Sequence, residues 1–373
     1  GEVLQQIVDD FNASQDEIEI KAEYQGTYDD TITKLKAAMQ SESGLPDVCQ
    51  MYDVGTKFMY DSGAVIPVED KFESTGYDKS SVMDVISSYY TVEGKQYAMP
   101  FNVSTPMLYY NKDVFEAAGL DPETPPTTYD EVLEDAKKIV ESGAAPVGYS
   151  QAIYGWFFEQ QLAGLGVTYG NNDNGRTEAV TAVDFDSNGG GLKVFDMWKK
   201  LYDSGYFEDY GTTTADTQTA FFSGQVGMII ESTAILKNAV DSSPFEVGTG
   251  YLPRIEQNDE GGVIIGGGSL WLTDTGNEAN EDAAWKFIEY ITTPDVQAKW
   301  SMGTGYFAIN EKAYETDDMK AYLKENPNFE TAINQLKDSP VNCNTAGVLS
   351  GVQTEARLTF NEIMPQVYDG KLT

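Results

Sequence analysis

The sequence predicts an α/β protein whose chain builds two discontinuous lobes. Three observations carry this prediction. The 373 residues exceed the usual size of a single hydrophobic core. Helical and strand periodicities alternate along the chain, which is typical of α/β proteins. Two extended segments, near residues 97–110 and 261–265, can carry the chain from one lobe to the other and back.

The N-terminal region begins with an alternation of helices and strands. Apolar residues recur at helical spacing over Val3–Phe11 and over Ile32–Met39, which predicts two amphipathic helices. Between them, Ile18–Tyr24 alternates apolar and charged residues and predicts a strand, and Pro46–Met51 is typical of a buried strand. Strands that alternate with helices predict a mostly parallel sheet with both faces covered.

The rest of the chain is predicted to be largely helical. One long helix has clear boundary signals, the capping box Thr128-x-x-Glu131 at its start and Gly143 at its end. Other helical patterns cover Trp156–Leu165, Leu192–Leu201, Ala215–Phe222, Glu281–Ile291 and 295–301, and Ser269–Thr273 predicts a strand. We therefore place the first lobe at residues 1–106 plus 263–308, and the second at residues 107–262 plus 309–373.

The charge of the chain excludes some classes of partner. The chain has 24 basic and 60 acidic side chains and a formal net charge of −36. This field repels a phosphate backbone, and no basic stripe offsets it, so we expect no nucleic-acid binding. An anionic membrane surface is disfavoured for the same reason. The apolar runs are also too short to cross a bilayer.

The sequence offers little for catalysis. It has no histidine, which removes the commonest general base and zinc ligand, and it contains no nucleophile elbow, P-loop or dinucleotide-binding pattern. We therefore expect no catalytic residue, no metal and no cofactor. The segment Asn171–Gly175 resembles a calcium loop, but Gly170 and Thr181 stand at ligand positions, so a turn is the better interpretation. A glycosidase with paired carboxylates stays open as an enzyme alternative.

The two cysteines, Cys49 and Cys343, lie far apart in the sequence. Cys49 sits in an apolar run, so a buried thiol suits it better than a disulfide. A bridge between the two stays open as an alternative if the protein is secreted.

Three features point to ligand binding. Arginine is scarce, with only three against 21 lysines (24 minus 3), and Arg357 lies in a helix from which its planar fork could grip a phosphate or carboxylate. The alternative for Arg357 is a salt bridge to an acidic residue. The glycines in Ile264–Trp271 either let a ligand approach the backbone or form a flexible crossing. Polar aromatic residues in loops, Tyr28, Trp156 and Tyr306, can stack on sugar or hydrocarbon faces of a ligand, and the alternative for each, which is favoured when it is taken singly, is a place in the core.

Several motifs resemble a known family. The segment Phe221–Met228 is similar to the "F-x-x-G-x-x-A-M" signature of extracellular solute-binding proteins of the maltose-binding type. The resemblance sharpens toward the glycerol-3-phosphate-binding branch in Tyr24–Tyr28, Tyr52–Thr56, Pro100–Lys112, Ala118–Pro122, Ile265–Trp271 and Thr304–Tyr306. It covers essentially the whole chain in order.

This resemblance implies a fold and a function. The fold is the periplasmic-binding-protein-like type II architecture, whose two lobes close by hinge bending on a ligand in the cleft. The function is that of a monomeric receptor that delivers its ligand to the membrane subunits of an ABC importer. Its location is extracytoplasmic, either as a lipoprotein on a Gram-positive cell surface or in a periplasm.

The resemblance also implies a set of ligand contacts. Arg357, Tyr306 and the Gly267 amide would bind phosphate oxygens. Tyr28, Ser104 and Ser232 would bind hydroxyl groups, and Trp156 would pack on the carbon skeleton. Asp53 would accept hydroxyl hydrogen bonds.

Two positions depart from the family pattern. Asp53 stands where the family has Glu, and Ile153 or Tyr154 replaces a second tryptophan. A glycerophosphodiester or another polyol phosphate therefore joins sn-glycerol-3-phosphate as a candidate ligand. A mono- or oligosaccharide is the main alternative, and a purely structural surface protein is a further one. Relative to the family, the chain would also lack a first strand and a closing helix.

Overall fold

The computed structural model of the chain describes residues 1–41 and 44–372. Its internal contacts divide it into two units, each built from two stretches of chain. The first unit comprises Gly1–Ser104 and Ile265–Glu325, and the second comprises Thr105–Ile264 and Asn326–Thr373. The first unit extends past residue 308, where the sequence prediction ended it. The reason is that residues on both sides of that point share one buried cluster, formed by Ala298, Ala308, Ala313 and Met319.

The strands of the described residues are short, and most of their side chains are buried. They are β1 (Val48–Tyr52), β2 (Val65–Ile66), β3 (Thr91–Val92), β4 (Lys95–Gln96), β5 (Met99–Ser104), β6 (Pro106–Asn111), β7 (Val147–Ser150), β8 (Val226–Ser232), β9 (Val247–Gly250) and β10 (Gly266–Thr273).

The helices of the described residues are distributed over both units. They are α1 (Glu2–Ser14), α2 (Tyr28–Gln40), α3 (Thr56–Ser62), α4 (Val68–Thr75), α5 (Asp84–Ser87), α6 (Lys112–Ala117), α7 (Tyr129–Glu141), α8 (Gly155–Gly164), α9 (Asn171–Gly175), α10 (Gly190–Asp203), α11 (Thr214–Phe222), α12 (Leu236–Ser242), α13 (Glu278–Ile291), α14 (Pro294–Thr304), α15 (Asp317–Glu325), α16 (Asn328–Asp338) and α17 (Gln353–Tyr368). The predicted capping box at the start of α7 is confirmed, because Thr128 and Glu131 bond reciprocally.

The first unit is organised around β10. This strand pairs with β1, β2 and β5, and each pairing is antiparallel. The β5 ladder shifts register between Gly268 and Ser269. Because every other strand of this sheet precedes residue 105, the unit depends on a strand that returns from much later in the chain.

The second unit has a sheet with the strand order β7-β8-β6-β9. Strand β6 pairs antiparallel with β8 and β9, whereas β7 pairs parallel with β8. The sequence prediction of mostly parallel sheets is therefore wrong. Parallel pairing needs a crossover that returns the chain to the same end of the sheet, and the connection from β7 to β8 through α8–α11 provides one. In the first unit, β10 runs antiparallel to each strand with which it pairs.

The predicted strand Ile18–Tyr24 does not form. The side-chain amide of Asn12 bonds both the backbone N–H and the carbonyl of Ile20, and Gln15 bonds both backbone groups of Ile18. These side chains satisfy backbone groups that a sheet would otherwise pair. The side chain of Tyr24 is 90% exposed. The alternation of residue types was real, but the segment has no sheet partner among the described residues.

Helices α8 and α17 pack closely in the second unit. Phe360 of α17 stacks on Phe158 of α8 with ring centroids 5.4 Å apart, and it also contacts Trp198 of α10. A Cβ atom at Gly155 would lie 2.7 Å from the Cα of Arg357, so glycine is needed for this approach. The first turn of α8 is thereby held against the helix that carries Arg357.

Neither a membrane-spanning helix nor a disulfide is present among the residues that the structure describes. In the part of the chain that the structure describes, every helix is too short or too polar to span a membrane. Cys49 and Cys343 are both free thiols, and burial raises the pKa of Cys49 to about 11.

Candidate ligand-binding site

The predicted ligand-binding residues fall into two sets, one in each unit. The first unit carries Tyr28, Asp53, Ser104, Gly267 and Tyr306, and the second carries Trp156, Ser232 and Arg357.

In the first unit, the central sheet brings three predicted residues to one edge. Asp53 follows the end of β1, Ser104 ends β5, and Gly267 lies at the start of β10. Ser104 pairs with the residue before Gly267, and the residue before Asp53 pairs with the residue after Gly267. Asp53 and Ser104 are both buried. The antiparallel register therefore places all three at the same end of the ladder.

Tyr28 opens α2 and is held by two contacts within the first unit. Its ring stacks on that of Tyr52, with centroids 4.9 Å apart and planes 8° apart. Its hydroxyl oxygen accepts a hydrogen bond of 2.9 Å from Nδ2 of Asn102, and Oδ1 of Asn102 accepts one of 2.7 Å from Nε2 of Gln50. Burial raises the pKa of the Tyr28 hydroxyl to about 12, so it stays protonated at neutral pH.

The glycines at the start of β10 are needed by the protein's own sheet. Gly267 has φ +93°, and a Cβ there would lie 1.8 Å from the carbonyl oxygen of Asn102. A Cβ at Gly268 would lie 2.7 Å from Oδ1 of Asn102 and 3.2 Å from the Tyr28 hydroxyl. The close approach expected for a ligand is thus made here by β5. The role of the Gly267 amide toward a ligand stays a prediction.

Tyr306 follows α14 and lies on a stack of aromatic rings. Its ring is parallel to that of Trp300 within 5°, with centroids 5.9 Å apart, and Trp300 in turn stacks on Phe101 at 4.3 Å. Burial is the main cause of the raised pKa of Tyr28, and the neighbouring Tyr306 and Asp53 side chains add to it. The three polar groups of the first unit therefore lie close enough to influence one another.

In the second unit, Arg357 forms a bidentate ion pair with Glu159. Nε and Nη2 of Arg357 lie 2.8 and 2.7 Å from the two carboxylate oxygens, and Gln353 donates a third hydrogen bond to that carboxylate. Both charged side chains are largely buried. Of the two interpretations of Arg357, the salt bridge is present. By contrast, Arg176 and Arg254 donate to backbone carbonyls.

Trp156 and Tyr154 lie beside this ion pair. The guanidinium carbon of Arg357 is 6.0 Å from the Tyr154 ring centroid, and the Tyr154 ring is 6.0 Å from that of Trp156. Trp156 is buried, and its indole N–H has no hydrogen-bond partner among the described residues. The buried indole N–H groups of Trp198 and Trp300 likewise lack a partner, and Trp156 belongs to the hydrophobic core of this unit, so its donor alone does not indicate a ligand.

Ser232 is fixed at the end of β8. Its Oγ accepts from the backbone N–H of Ala234, its carbonyl accepts from the Tyr109 hydroxyl at 2.7 Å, and its N–H donates to Glu231 at 2.7 Å. The carboxylate of Glu231 also accepts from Gln218. Burial raises the pKa of Glu231 to about 7.

Sequence reasoning missed four residues of these networks, Gln50, Asn102, Glu159 and Glu231. Two of them gave a usable signal. Glu159 is the only charged residue in the sequence of α8, and Asn102 is a polar residue in the fully buried strand β5. A polar side chain in an otherwise apolar element predicts a specific partner.

The candidate calcium loop forms a tight turn in α9. Asn172, Asp173 and Asn174 have positive φ angles of 56°, 53° and 59°, and Asn174 accepts from the backbone N–H groups of Tyr169 and Gly170. Across residues 1–41 and 44–372, no cluster of three or more Cys, Asp or Glu side chains could hold a metal ion.

Comparison with known proteins identifies a family. Residues 6–331 match the family described as bacterial extracellular solute-binding protein. The chain is 30% identical over 380 aligned positions to the sn-glycerol-3-phosphate-binding periplasmic protein UgpB of Escherichia coli (strain K12), covering 100% of this chain and 86% of that protein.

Solved structures share the fold over the whole chain. The cyclic α-maltosyl-1,6-maltose binding protein from Arthrobacter globiformis superposes with a TM-score of 0.82 at 25% identity, covering 100% of this chain and 91% of that one. UgpB from Mycobacterium tuberculosis, solved in complex with glycerophosphocholine, gives a TM-score of 0.79 at 22% identity, with coverages of 100% and 96%. The expected type II fold is therefore confirmed.

Proposed function

Because the chain belongs to the bacterial extracellular solute-binding proteins, we propose that its ligand is a glycerophosphodiester or sn-glycerol-3-phosphate. The general activity follows from the family. The chain is an extracytoplasmic receptor of an ABC importer, which binds a small molecule and works with the membrane permease subunits. It is not an enzyme, so the glycosidase alternative is wrong. The lipid anchor and the monomeric state stay predictions.

The 30% identity to a glycerol-3-phosphate-binding protein along the whole chain is the observation that carries the choice of a phosphate ligand. In the second unit, Arg357 is the cationic member of the predicted set, and its guanidinium lies beside the Tyr154 ring. A guanidinium can donate charge-assisted hydrogen bonds to an anionic oxygen.

We assign the contacts in the bound state as follows. Phosphate oxygens accept from Arg357, Tyr306 and the Gly267 N–H, and the carbon skeleton packs on Trp156. The hydroxyl groups of the ligand bond to the remaining predicted residues, Tyr28, Asp53, Ser104 and Ser232.

The ion pair of Arg357 favours a diester over a monoester. The carboxylate of Glu159 already offsets the arginine charge, so the second unit offers no surplus positive charge at this point. A phosphate monoester carries about −1.5 to −2 charges at pH 7, whereas a diester carries about −1. The dianion is therefore expected to bind more weakly.

Isothermal titration of the purified protein tests this proposal. We expect glycerophosphocholine and sn-glycerol-3-phosphate to bind, the diester more tightly by about tenfold, and maltose to give no heat. A second arm at pH 5.5 sharpens the charge argument, because the monoester then carries a charge near −1 and its disadvantage should shrink. Binding of maltose alone would overturn the ligand and leave the receptor activity intact.

A sugar is the second candidate ligand. The structure in the comparison with the TM-score of 0.82 is named for binding a cyclic maltosyl-maltose. The ion pair with Glu159 also gives Arg357 a structural role that needs no phosphate. The rings of Tyr28, Trp156 and Tyr306 suit the faces of sugar rings.

A further inference from the structure

Three polar side chains of the first unit, those of Gln50, Asn102 and Tyr28, form a hydrogen-bonded chain. Gln50 on β1 donates through Nε2 to Oδ1 of Asn102 on β5, and Asn102 donates through Nδ2 to the hydroxyl oxygen of Tyr28 on α2. The three residues come from three different elements. Asn102 is buried and pairs with Gly268, whereas Gln50 lies two residues before the end of β1.

The order of donors and acceptors in this chain is directional. A primary amide has its donor nitrogen and its acceptor oxygen on opposite sides, so accepting from Gln50 turns the Asn102 nitrogen toward Tyr28. The Tyr28 oxygen then acts as an acceptor, and its own proton must point elsewhere. Within the described part of the first unit, the Tyr28 hydroxyl donates to no protein acceptor.

The surrounding packing leaves this chain little freedom. The Tyr28 ring is clamped against Tyr52, and the Asn102 side chain fits over Gly268, where a Cβ would approach its Oδ1 within 2.7 Å. A side chain at that position would push Asn102 away from Tyr28. The lack of a side chain at Gly268 therefore leaves room for Asn102 to bond to Tyr28. These contacts hold the Tyr28 hydroxyl at a fixed position.

We infer that Gln50 and Asn102 are positioning residues that fix the Tyr28 hydroxyl as a hydrogen-bond donor, so that Tyr28 selects a ligand oxygen able to accept. A hydroxyl, ether, carbonyl or phosphate oxygen meets this requirement, and an ammonium or amide nitrogen does not. This inference rests on the proposed role of Tyr28 as a ligand contact. It adds two residues that do not touch the ligand themselves.

Variants that reverse the donor-to-acceptor direction of this hydrogen-bonded chain test the inference. Asn102→Asp removes the donor and supplies an acceptor, so the Tyr28 proton is drawn back to residue 102. Gln50→Glu has the same effect through Asn102. The carboxylate at position 50 accepts from the Asn102 nitrogen, so the Asn102 oxygen faces Tyr28 and accepts its proton. We expect each variant to lose about tenfold in affinity for the best-binding ligand of the titration, the effect of one lost hydrogen bond.

The Tyr28→Phe background separates this effect from added charge. Both variants introduce a carboxylate, which could weaken an anionic ligand through space. If the effect passes through the Tyr28 proton, Asn102→Asp and Gln50→Glu should each change affinity by no more than about twofold once Tyr28 is Phe. An undiminished tenfold loss in that background overturns the inference and leaves the ligand assignment standing.

A readout without ligand keeps the two proposals distinguishable. In the ligand-free wild-type protein, the Asn102 side-chain amide protons should show nuclear Overhauser contacts to the Tyr28 ring, and Gln50→Glu should abolish them. Contacts to residue 50 alone in the wild-type protein overturn the direction of the chain. If the protein binds maltose and no glycerol phosphate, the proposed ligand fails, and the same variants measured with maltose still decide the role of Gln50 and Asn102.

Discussion

The two units use different chemistry around their predicted binding residues. The first unit positions Tyr28 and Tyr306 with neutral amides, stacked rings and glycines. The second positions Arg357 and Ser232 with the buried carboxylates of Glu159 and Glu231. Leaving one member of a buried neutral hydrogen bond without its partner costs about 1–3 kcal/mol, whereas leaving a buried charge without its partner costs about 3–5 kcal/mol. The second unit should therefore be the more sensitive to mutation and to pH.

The largest effect is expected at the ion pair of the second unit. Arg357→Met leaves the Glu159 carboxylate buried without its partner, so we expect a loss of about 3–5 kcal/mol in the free energy of unfolding. Urea denaturation at pH 7 measures it. The double variant Glu159→Gln/Arg357→Met removes both charges and should recover most of that stability while still failing to bind glycerol phosphate. Recovery of binding together with stability would show that Arg357 is structural.

The next effect concerns Glu231 and pH. Its folded-state pKa of about 7 is raised above the ordinary value of 4.5, so the folded protein holds this proton more tightly than the unfolded chain. The resulting stability is fully present below about pH 4.5 and is lost as the pH rises through 7, by roughly 3 kcal/mol in total.

Thermal unfolding of the wild-type protein and of Glu231→Gln between pH 5 and 8 measures this dependence. The variant should be less sensitive to pH over that range, because its side chain does not titrate. Parallel curves for the two proteins would contradict the assignment. Asp30→Asn, at an exposed carboxyl whose pKa is lowered by its bonds to Thr27, is a control that should not flatten the slope between pH 5 and 8.

The smallest of the three effects is expected in the first unit. Gly267→Ala forces a side chain into a positive φ and against the Asn102 carbonyl, which should cost about 2 kcal/mol. Gly276→Ala is a matched control, because it has a positive φ of 70° and open space around its Cβ. Equal losses in the two variants would show that backbone strain alone accounts for the result and that the contact with Asn102 adds nothing.

The sequence predicted local features better than distant ones. The capping box of α7 and the turn at Asn171–Gly175 depend on neighbouring residues, and both are present. The strand expected at Ile18–Tyr24 and the parallel sheets depended on partners that no local pattern specifies. A strand needs an edge to pair with, and Asn12 and Gln15 supplied the hydrogen bonds instead.

The same limit applies to the candidate site. The binding residues themselves came from resemblance to a family, and their roles stay predictions. The residues that hold them were missed, because Asn102 is 52 positions from Gln50 and Arg357 is 198 positions from Glu159. Composition and periodicity report which side chains are buried. They do not report which buried polar groups meet.

The position of β10 has a consequence for biogenesis. The first unit cannot close its sheet until Gly266–Thr273 is available, although its other sheet strands are complete by Ser104. During synthesis at roughly 5–20 residues per second, this half of the molecule therefore waits about 10–30 seconds for its last strand. Until β10 has been made, β1, β2 and β5 lack the strand with which each of them pairs in the folded unit.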